Sequence, residues 1–214
     1  MSNTSKHPVA RAKGRVLPSY THKEEGVWKG EFTFIQAADT QLGLHDRYVE
    51  KKVTEDIRWD WEVELCRTLI KEINQIKPRP RFMIVCGDII DAMPNTPNRP
   101  AQLKDIFKVF AELCPDIPLV CLCGNHDVGD HPTPKDIALY QSDFGDDYFD
   151  FWVGGIKCLV LNSQYFADPS NCLDLSQEQD QWLDKQLNAP ENKDAKHILV
   201  FQHIPWFTED SKEE

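Results

Sequence analysis

Four apolar runs of strand length divide this sequence, and each stops abruptly at its carboxyl side in residues that carry chemistry. They are 32–38 before Asp39-Thr40-Gln41, 82–86 before Gly87-Asp88-Ile89-Ile90-Asp91, 118–123 before Gly124-Asn125-His126-Asp127, and 198–201 before Gln202-His203. Helical periods fill the intervals between the first three. Leu65, Leu69, Ile73 and Ile76 recur at spacings of four and three and predict a helix over 56–76, stopped by Lys77-Pro78-Arg79-Pro80. A Pro- and Asn-rich loop to Pro100 follows the second strand, and a further amphipathic helix is expected over 102–113. Strands alternating with helices imply β-α-β units and a largely parallel sheet.

Beyond that repeat, 148–152 and 157–161 flank Val153-Gly154-Gly155-Ile156 and predict an antiparallel hairpin. Ser176 with Gln179 three residues on reads as a capping box that opens a helix carrying Trp182, Leu183 and Leu187. The expected organisation is therefore α/β: a polar lead-in at 1–29 where Trp28 can pack, one domain over 30–208, and a charged tail at 209–214.

Composition narrows the function. Acidic side chains outnumber basic ones by 35 to 24, a net charge of −11, which argues against nucleic acid or an anionic membrane as a partner. No run reaches the roughly 18 apolar residues of a membrane span. The seven cysteines are odd in number and most lie within apolar runs, as buried thiols do in a reducing compartment, so a cytoplasmic location is expected. Cys121 and Cys123 are not a C-x-x-C pair, and on a strand both point to one face.

The strand ends are where ligands bind in an open α/β sheet, because the loops there converge. Asp39, Asp88, Asn125 and His203 should therefore meet in space although they are distant in sequence. Carboxylate, amide oxygen and imidazole together suit two divalent cations such as Mn, Fe or Zn, and one aspartate, Asp88 by placement, can bridge a pair of them. Each element also has a bland reading. Asp39 could cap the next segment, Gly87-Asp88 is a common turn dipeptide, and His203 before Ile204-Pro205 could be a core histidine. Gly124-Asn125-His126-Asp127 resists such a reading, since a histidine between Asn and Asp on a post-strand turn serves packing poorly.

In this order the four blocks resemble the calcineurin-like metallophosphoesterase signature, over roughly residues 26 to 207. The resemblance implies an α-β-β-α four-layer sandwich. It implies that Asp39 ligates the first metal, Asp88 bridges, and Asn125 and His203 ligate the second. It makes His126 the acid at the leaving group, oriented by Asp127, and Asp91 a supporting residue. The implied reaction is in-line attack on phosphorus by a hydroxide held between two metals. Phosphorylated protein or a small phosphomonoester is the implied substrate, the serine/threonine protein phosphatases being the branch most alike in the surrounding residues. Oligomeric state is left open.

Two departures stand out. Gln41 replaces a histidine usual two residues after the first aspartate, which makes it at most a weak ligand; the phosphatase branch shares it. The family's final Gly-His-x-His block, which gives one histidine to each metal, does not occur after His203. The sandwich is therefore expected to be incomplete, with an open strand edge, as in a truncated isoform. The alternative function is then a catalytically impaired binding or regulatory module.

Overall fold

A computed structural model describes residues 7–53 and 56–207; the predicted charged tail at 209–214 lies outside the described residues. In chain order the elements are helix α1 (His22–Glu25), strand β1 (Ile35–Ala37), a π-helical turn (His45–Val49), α2 (Asp60–Gln75), β2 (Met83–Cys86), α3 (Arg99–Phe110), β3 (Leu119–Leu122), α4 (Asn125–Val128), α5 (Pro134–Phe144), β4 (Phe149–Val153), β5 (Ile156–Val160), α6 (Gln164–Ala167), α7 (Leu173–Leu187), a 3-10 turn (Pro190–Asp194) and β6 (His197–Phe201).

The strands form two three-stranded sheets. Strands β1, β2 and β3 lie parallel in that order, Ile35 opposite Met83 and Met83 opposite Leu119. In the second sheet β4 and β5 form the expected hairpin, and β6 joins β5 in parallel, Val160 opposite Phe201. Every residue of β2 and β3 is buried, so these strands read as continuous apolar runs rather than alternating ones. Strand alternation then divides the core in two. Phe82, Ile84, Val120 and Leu122 face Phe149, Phe151, Val153, Cys158 and Val160 across the gap between the sheets. Met83, Val85, Leu119 and Cys121 face the other way, onto Cys66, Ile70 and Ile73 of α2 and Ile106, Val109 and Phe110 of α3. Cys121 and Cys123 share that second face, as their spacing predicted, and all seven cysteines are free thiols.

Several local expectations are corrected. The first strand spans Ile35–Ala37, not 32–38, since Phe34 leaves the ladder and stacks on Phe82, ring centroids 4.8 Å apart. Helix α2 starts at Asp60, and Leu65 and Leu69 are 49% and 37% exposed, while Glu62, Cys66, Ile70 and Ile73 face inward. Apolar residues occur at both 65/66 and 69/70, so periodicity alone cannot say which edge of the stripe meets the sheet. Helix α3 begins before Pro100, whose missing N–H is harmless in a first turn. Ser176 does not cap α7 but lies inside it. Its hydroxyl donates to the Tyr165 carbonyl at 3.2 Å, and Gln179 pairs with the Asn162 backbone at 2.8 and 3.2 Å. Capping boxes form instead at α1, between Thr21 and Glu24, and at α5, where Thr133 and Asp136 exchange bonds ahead of Pro134.

The polar lead-in supplies core residues as well. Val9, Ala12 and Leu17 are buried, and the Ala10 and Leu17 amides donate to Leu119 and Asp150, tying the two sheets at one end. Asp147, fully buried, gathers Arg15, Gln141, Asn162 and Tyr165. Lys157 is buried on the outer face of the second sheet, its ammonium donating to the Gln186 carbonyl at 2.9 Å and to Asn192 at 2.8 Å. Among the described residues β1 and β6 each pair on one side only. The hollow of about 440 Å³ between them is lined by Phe34, Leu199, Phe201, Trp206 and Phe207.

Candidate metal centre

The carboxyl ends of β1, β2, β3 and β6 converge. Asp39 and Asp88 each follow their strand by two residues, and His203 follows β6 likewise. Ligand atoms of Asp39, Asp88 and His203 lie within 4.8 Å of one another, Asp88 buried and His203 partly so. Asp39, Gln41 and Asp88 all hold left-handed backbones, φ 53°, 30° and 50°. Side-chain-bearing residues rarely adopt this conformation, and it costs of order 1–3 kcal/mol each. The strain is held by cross-links between loops. The Asp39 amide donates to the Gly87 carbonyl at 3.1 Å, Gln41 N–H to the Asp88 carbonyl at 3.0 Å, and the Thr40 hydroxyl to the Ile89 carbonyl at 2.8 Å.

His203 donates from Nδ1 to the Cys86 carbonyl at 2.9 Å, which turns Nε2 toward Asp88 Oδ1, 3.5 Å away. A backbone carbonyl on one ring nitrogen fixes the tautomer and leaves the other as a lone-pair donor. Burial pushes the Asp39 carboxyl above its usual range, His203 pulls it back, and the Asp88 charge adds to the rise. Two carboxylates and an imidazole lone pair in this arrangement fit a divalent cation, which would relieve the repulsion between Asp39 and Asp88.

Two glycines make the approach possible. A Cβ on Gly87 would lie 2.6 Å from His203 Nδ1, and one on Gly124 would collide with Asp88 Oδ1. Gly124→Ala is accordingly expected to lower stability by about 1–3 kcal/mol through overpacking and to weaken Mn²⁺ binding, read by thermal melts with and without Mn²⁺. Unchanged melting and unchanged Mn²⁺ response would show that the turn yields freely.

The third block departs from expectation at Asp127. Asn125 stands on the same turn, donating to Asp130 at 2.9 Å through its side-chain nitrogen and not through the oxygen that would ligate a metal. Asp127 does not orient His126. Its carboxylate accepts from Gly124 N–H at 2.9 Å and Ile89 N–H at 3.2 Å, stapling the second and third loops together. Burial pushes this carboxyl up to about 7 against the pull of the Gly124 amide. His126 is instead held by the backbone. Its ring Nδ1 donates to the Asp91 carbonyl at 2.6 Å, and its own amide donates to Asp88 Oδ1 at 2.9 Å. Asp91 thus supports His126 mainly through its main chain. Its buried carboxylate, pushed up by burial, is drawn back by His126, Arg47 and Gln41.

Three residues in the surroundings escaped the sequence reading. Arg99 is buried and clasps the turn from behind, donating to the Ala92 and Asp127 carbonyls at 3.1 Å each. Arg47 places its Nε 3.6 Å from the Asp91 carboxylate, and the Tyr48 hydroxyl lies 3.4 Å from His126 Nε2. The only signal for these two was the cluster His45-Asp46-Arg47-Tyr48 following Gly43, which has no periodicity to mark it.

A calcineurin-like phosphoesterase family model matches residues 32–213. The chain belongs to this family. It is 44% identical over 205 residues to the serine/threonine-protein phosphatase CPPED1 of Mus musculus, 46% over 198 residues to that of Bos taurus and 43% over 209 residues to that of Homo sapiens. These alignments take in 95%, 92% and 95% of this chain but 66%, 63% and 65% of the relatives, so the chain spans about two thirds of their length. Among solved structures, a purple acid phosphatase from yellow lupin (Lupinus luteus) seeds shares the fold, with a TM-score of 0.53 at 9% identity over 80% of this chain and 30% of that one. The mixed α/β architecture expected from the sequence is therefore that of a metallophosphoesterase. No helix among the described residues is long and apolar enough to cross a membrane.

Proposed function

We infer that this chain carries the catalytic centre of a metal-dependent phosphomonoesterase acting on phosphorylated protein side chains, the activity named for its CPPED1 relatives. The observation that carries the reading is the cluster of Asp39, Asp88 and His203 at three strand ends, with the His203 lone pair turned inward. Asp39 and His203 would each hold one of two divalent cations, Mn, Fe or Zn, with Asp88 shared between them and Asn125 within reach on its turn. When bound, the cations supply Lewis acidity toward the phosphoryl oxygens.

The protein's own groups do the rest. His126 has its Nδ1 proton committed to the Asp91 carbonyl, so only Nε2 is free to exchange a proton with a leaving oxygen. Asp127 and Arg99 keep the His126 turn rigid against the Asp88 loop, holding donor and cations in one register.

The test compares phosphate release from p-nitrophenyl phosphate, with bis(p-nitrophenyl) phosphate as the diester control, before and after removal of divalent cations. It is run on this chain and on the same chain extended to the length of its relatives. Turnover of the monoester that vanishes with chelation and returns with Mn²⁺ is expected in the extended form. A chelator-insensitive rate, or a preference for the diester, would overturn the reading. Activity confined to the extended form would make the shorter chain the impaired module.

A further inference from the structure

An asparagine side chain ends in two groups of similar shape, and only its oxygen can hold a cation; the nitrogen offers hydrogens and no lone pair. A metal centre that uses Asn125 therefore needs something to fix which way that amide faces. Asn125 stands against the candidate bridging carboxylate. On one side is Gly124, where a Cβ would collide with Asp88 Oδ1, and on the other His126, whose amide donates to that oxygen at 2.9 Å. The Asn125 Nδ2 donates to Asp130 Oδ1 at 2.9 Å. An aspartate carboxylate only accepts, so it takes the nitrogen end of the amide and leaves Oδ1 turned away from Asp130.

Asp130 is brought to this place by the backbone and held there by the second sheet. Helix α4 is a single turn, closed by the Gly129 amide on the Asn125 carbonyl at 2.7 Å, and Gly129 then takes φ 93°. A Cβ there would meet nothing within 4 Å, so the glycine serves the left-handed backbone and not a tight contact. The chain doubles back, and the Asp130 carboxylate returns to Asn125. Buried Gln164, at the start of α6, donates from Nε2 to the Asp130 carbonyl at 2.9 Å. His131 pairs with the Asp168 carboxylate at 2.6 Å, and the Asn171 amide donates to the His131 carbonyl at 3.2 Å. The loop is thus tied at three points to 164–171, none of which uses the Asp130 side chain. Ser163, also buried, accepts the Ile204 amide at 2.9 Å, so the turn after β5 that holds Asp130 also braces the residue next to His203.

We propose that Asp130 is a positioning residue of the metal centre, holding the Asn125 amide with its oxygen free for a divalent cation. It acts through Asn125 and touches neither cation nor substrate, and the proposal rests on Asn125 being a ligand. A carboxylate near a cation also attracts it through charge alone, and substitution separates the two roles. Asparagine at 130 lacks the charge but keeps an oxygen that accepts; alanine lacks both.

The test is calorimetric titration of the metal-free protein with Mn²⁺, beside a thermal melt, for the parent, Asn125→Ala, Asp130→Asn, Asp130→Ala and the protein carrying both alanines. Asp130 is exposed and its loop keeps all three ties in every variant, so folding is expected throughout. Asp130→Ala should weaken Mn²⁺ binding about tenfold, the lower end of the 10–100-fold that loss of a ligand's outer partner costs. Asp130→Asn should stay close to the parent. Adding Asp130→Ala to Asn125→Ala should cost nothing further, since a residue that acts through another has no effect once that other is gone. Equal losses in Asp130→Asn and Asp130→Ala, or a loss that persists in the Asn125→Ala background, would assign Asp130 to charge alone and overturn the positioning role. Parent affinity in Asp130→Ala would overturn it as well. An Asn125→Ala protein that binds Mn²⁺ as the parent does removes Asn125 from the ligands, and this proposal with it, while leaving Asp39, Asp88 and His203 standing. Failure of the parent to bind Mn²⁺ overturns the metal-centre reading itself.

Discussion

Asp88→Asn is expected to weaken Mn²⁺ binding by about 100-fold or more and to remove phosphatase turnover along with it; loss of an outer partner alone already costs about 10–100-fold in metal affinity. The substitution preserves shape. An amide oxygen can still accept the His126 N–H that now lies 2.9 Å from Oδ1, and the left-handed backbone at φ 50° is one that asparagine tolerates. What it removes is the charge shared between the Asp39 and His203 sides of the cluster. Calorimetric titration of the metal-free protein with Mn²⁺, beside a thermal melt to confirm folding, reads this directly. A folded Asp88→Asn protein that binds Mn²⁺ as tightly as the parent would place the cations elsewhere.

The second large effect is kinetic and depends on the leaving group. Because His126 reaches outward only through Nε2, His126→Ala should lower kcat for an alkyl phosphate or a phosphoserine peptide by about 10²–10⁴-fold, the usual contribution of a positioned acid. The loss should be much smaller for p-nitrophenyl phosphate, whose leaving group needs no proton. Mn²⁺ affinity should be unaffected, since the hydrogen bond to Asp88 comes from the backbone and alanine keeps it. Equal losses on both substrates would mean that His126 acts on the phosphoryl group or the loop, not on the leaving oxygen.

These expectations differ in origin. Asp39, Asp88 and His203 were legible because each follows a short apolar run, and a strand that ends in a sharp polar turn can only deliver those residues to the sheet's carboxyl edge. The hairpin, too, was carried by a few residues, Val153-Gly154-Gly155-Ile156 between two apolar runs. Helix boundaries and faces were less so. The α2 stripe offered two overlapping apolar edges, and only the sheet's position selected Cys66, Ile70 and Ile73. At α7 the Ser176 and Gln179 pattern mimicked a cap, but both side chains serve the buried Asn162 and Tyr165 backbone.

Within the site, residue type announced candidates but not their partners. Asp127 next to His126 looked like its orienting carboxylate. The four-residue helix α4 instead turns Asp127 back to the Gly124 and Ile89 amides, and the carbonyl of Asp91 takes the imidazole. Gln41 read as at most a weak ligand, and only the fold shows that it is buried with its backbone N–H tied to the Asp88 carbonyl. Tyr48 and Arg47 lie 78 and 44 residues from the groups they approach, His126 and Asp91, on a turn without periodicity, so nothing local could signal them.

The sequence by itself determined the α/β class, the strand ends that supply metal-type side chains and the order in which they arrive, because hydrophobic period and chain direction are local properties of the residues. The tertiary structure alone decided which nitrogen of each histidine is free, which carboxylates face each other, and what lies beside the leaving-group nitrogen. Those are set by hydrogen bonds between loops distant in the chain, whose geometry exists only once the two sheets have packed.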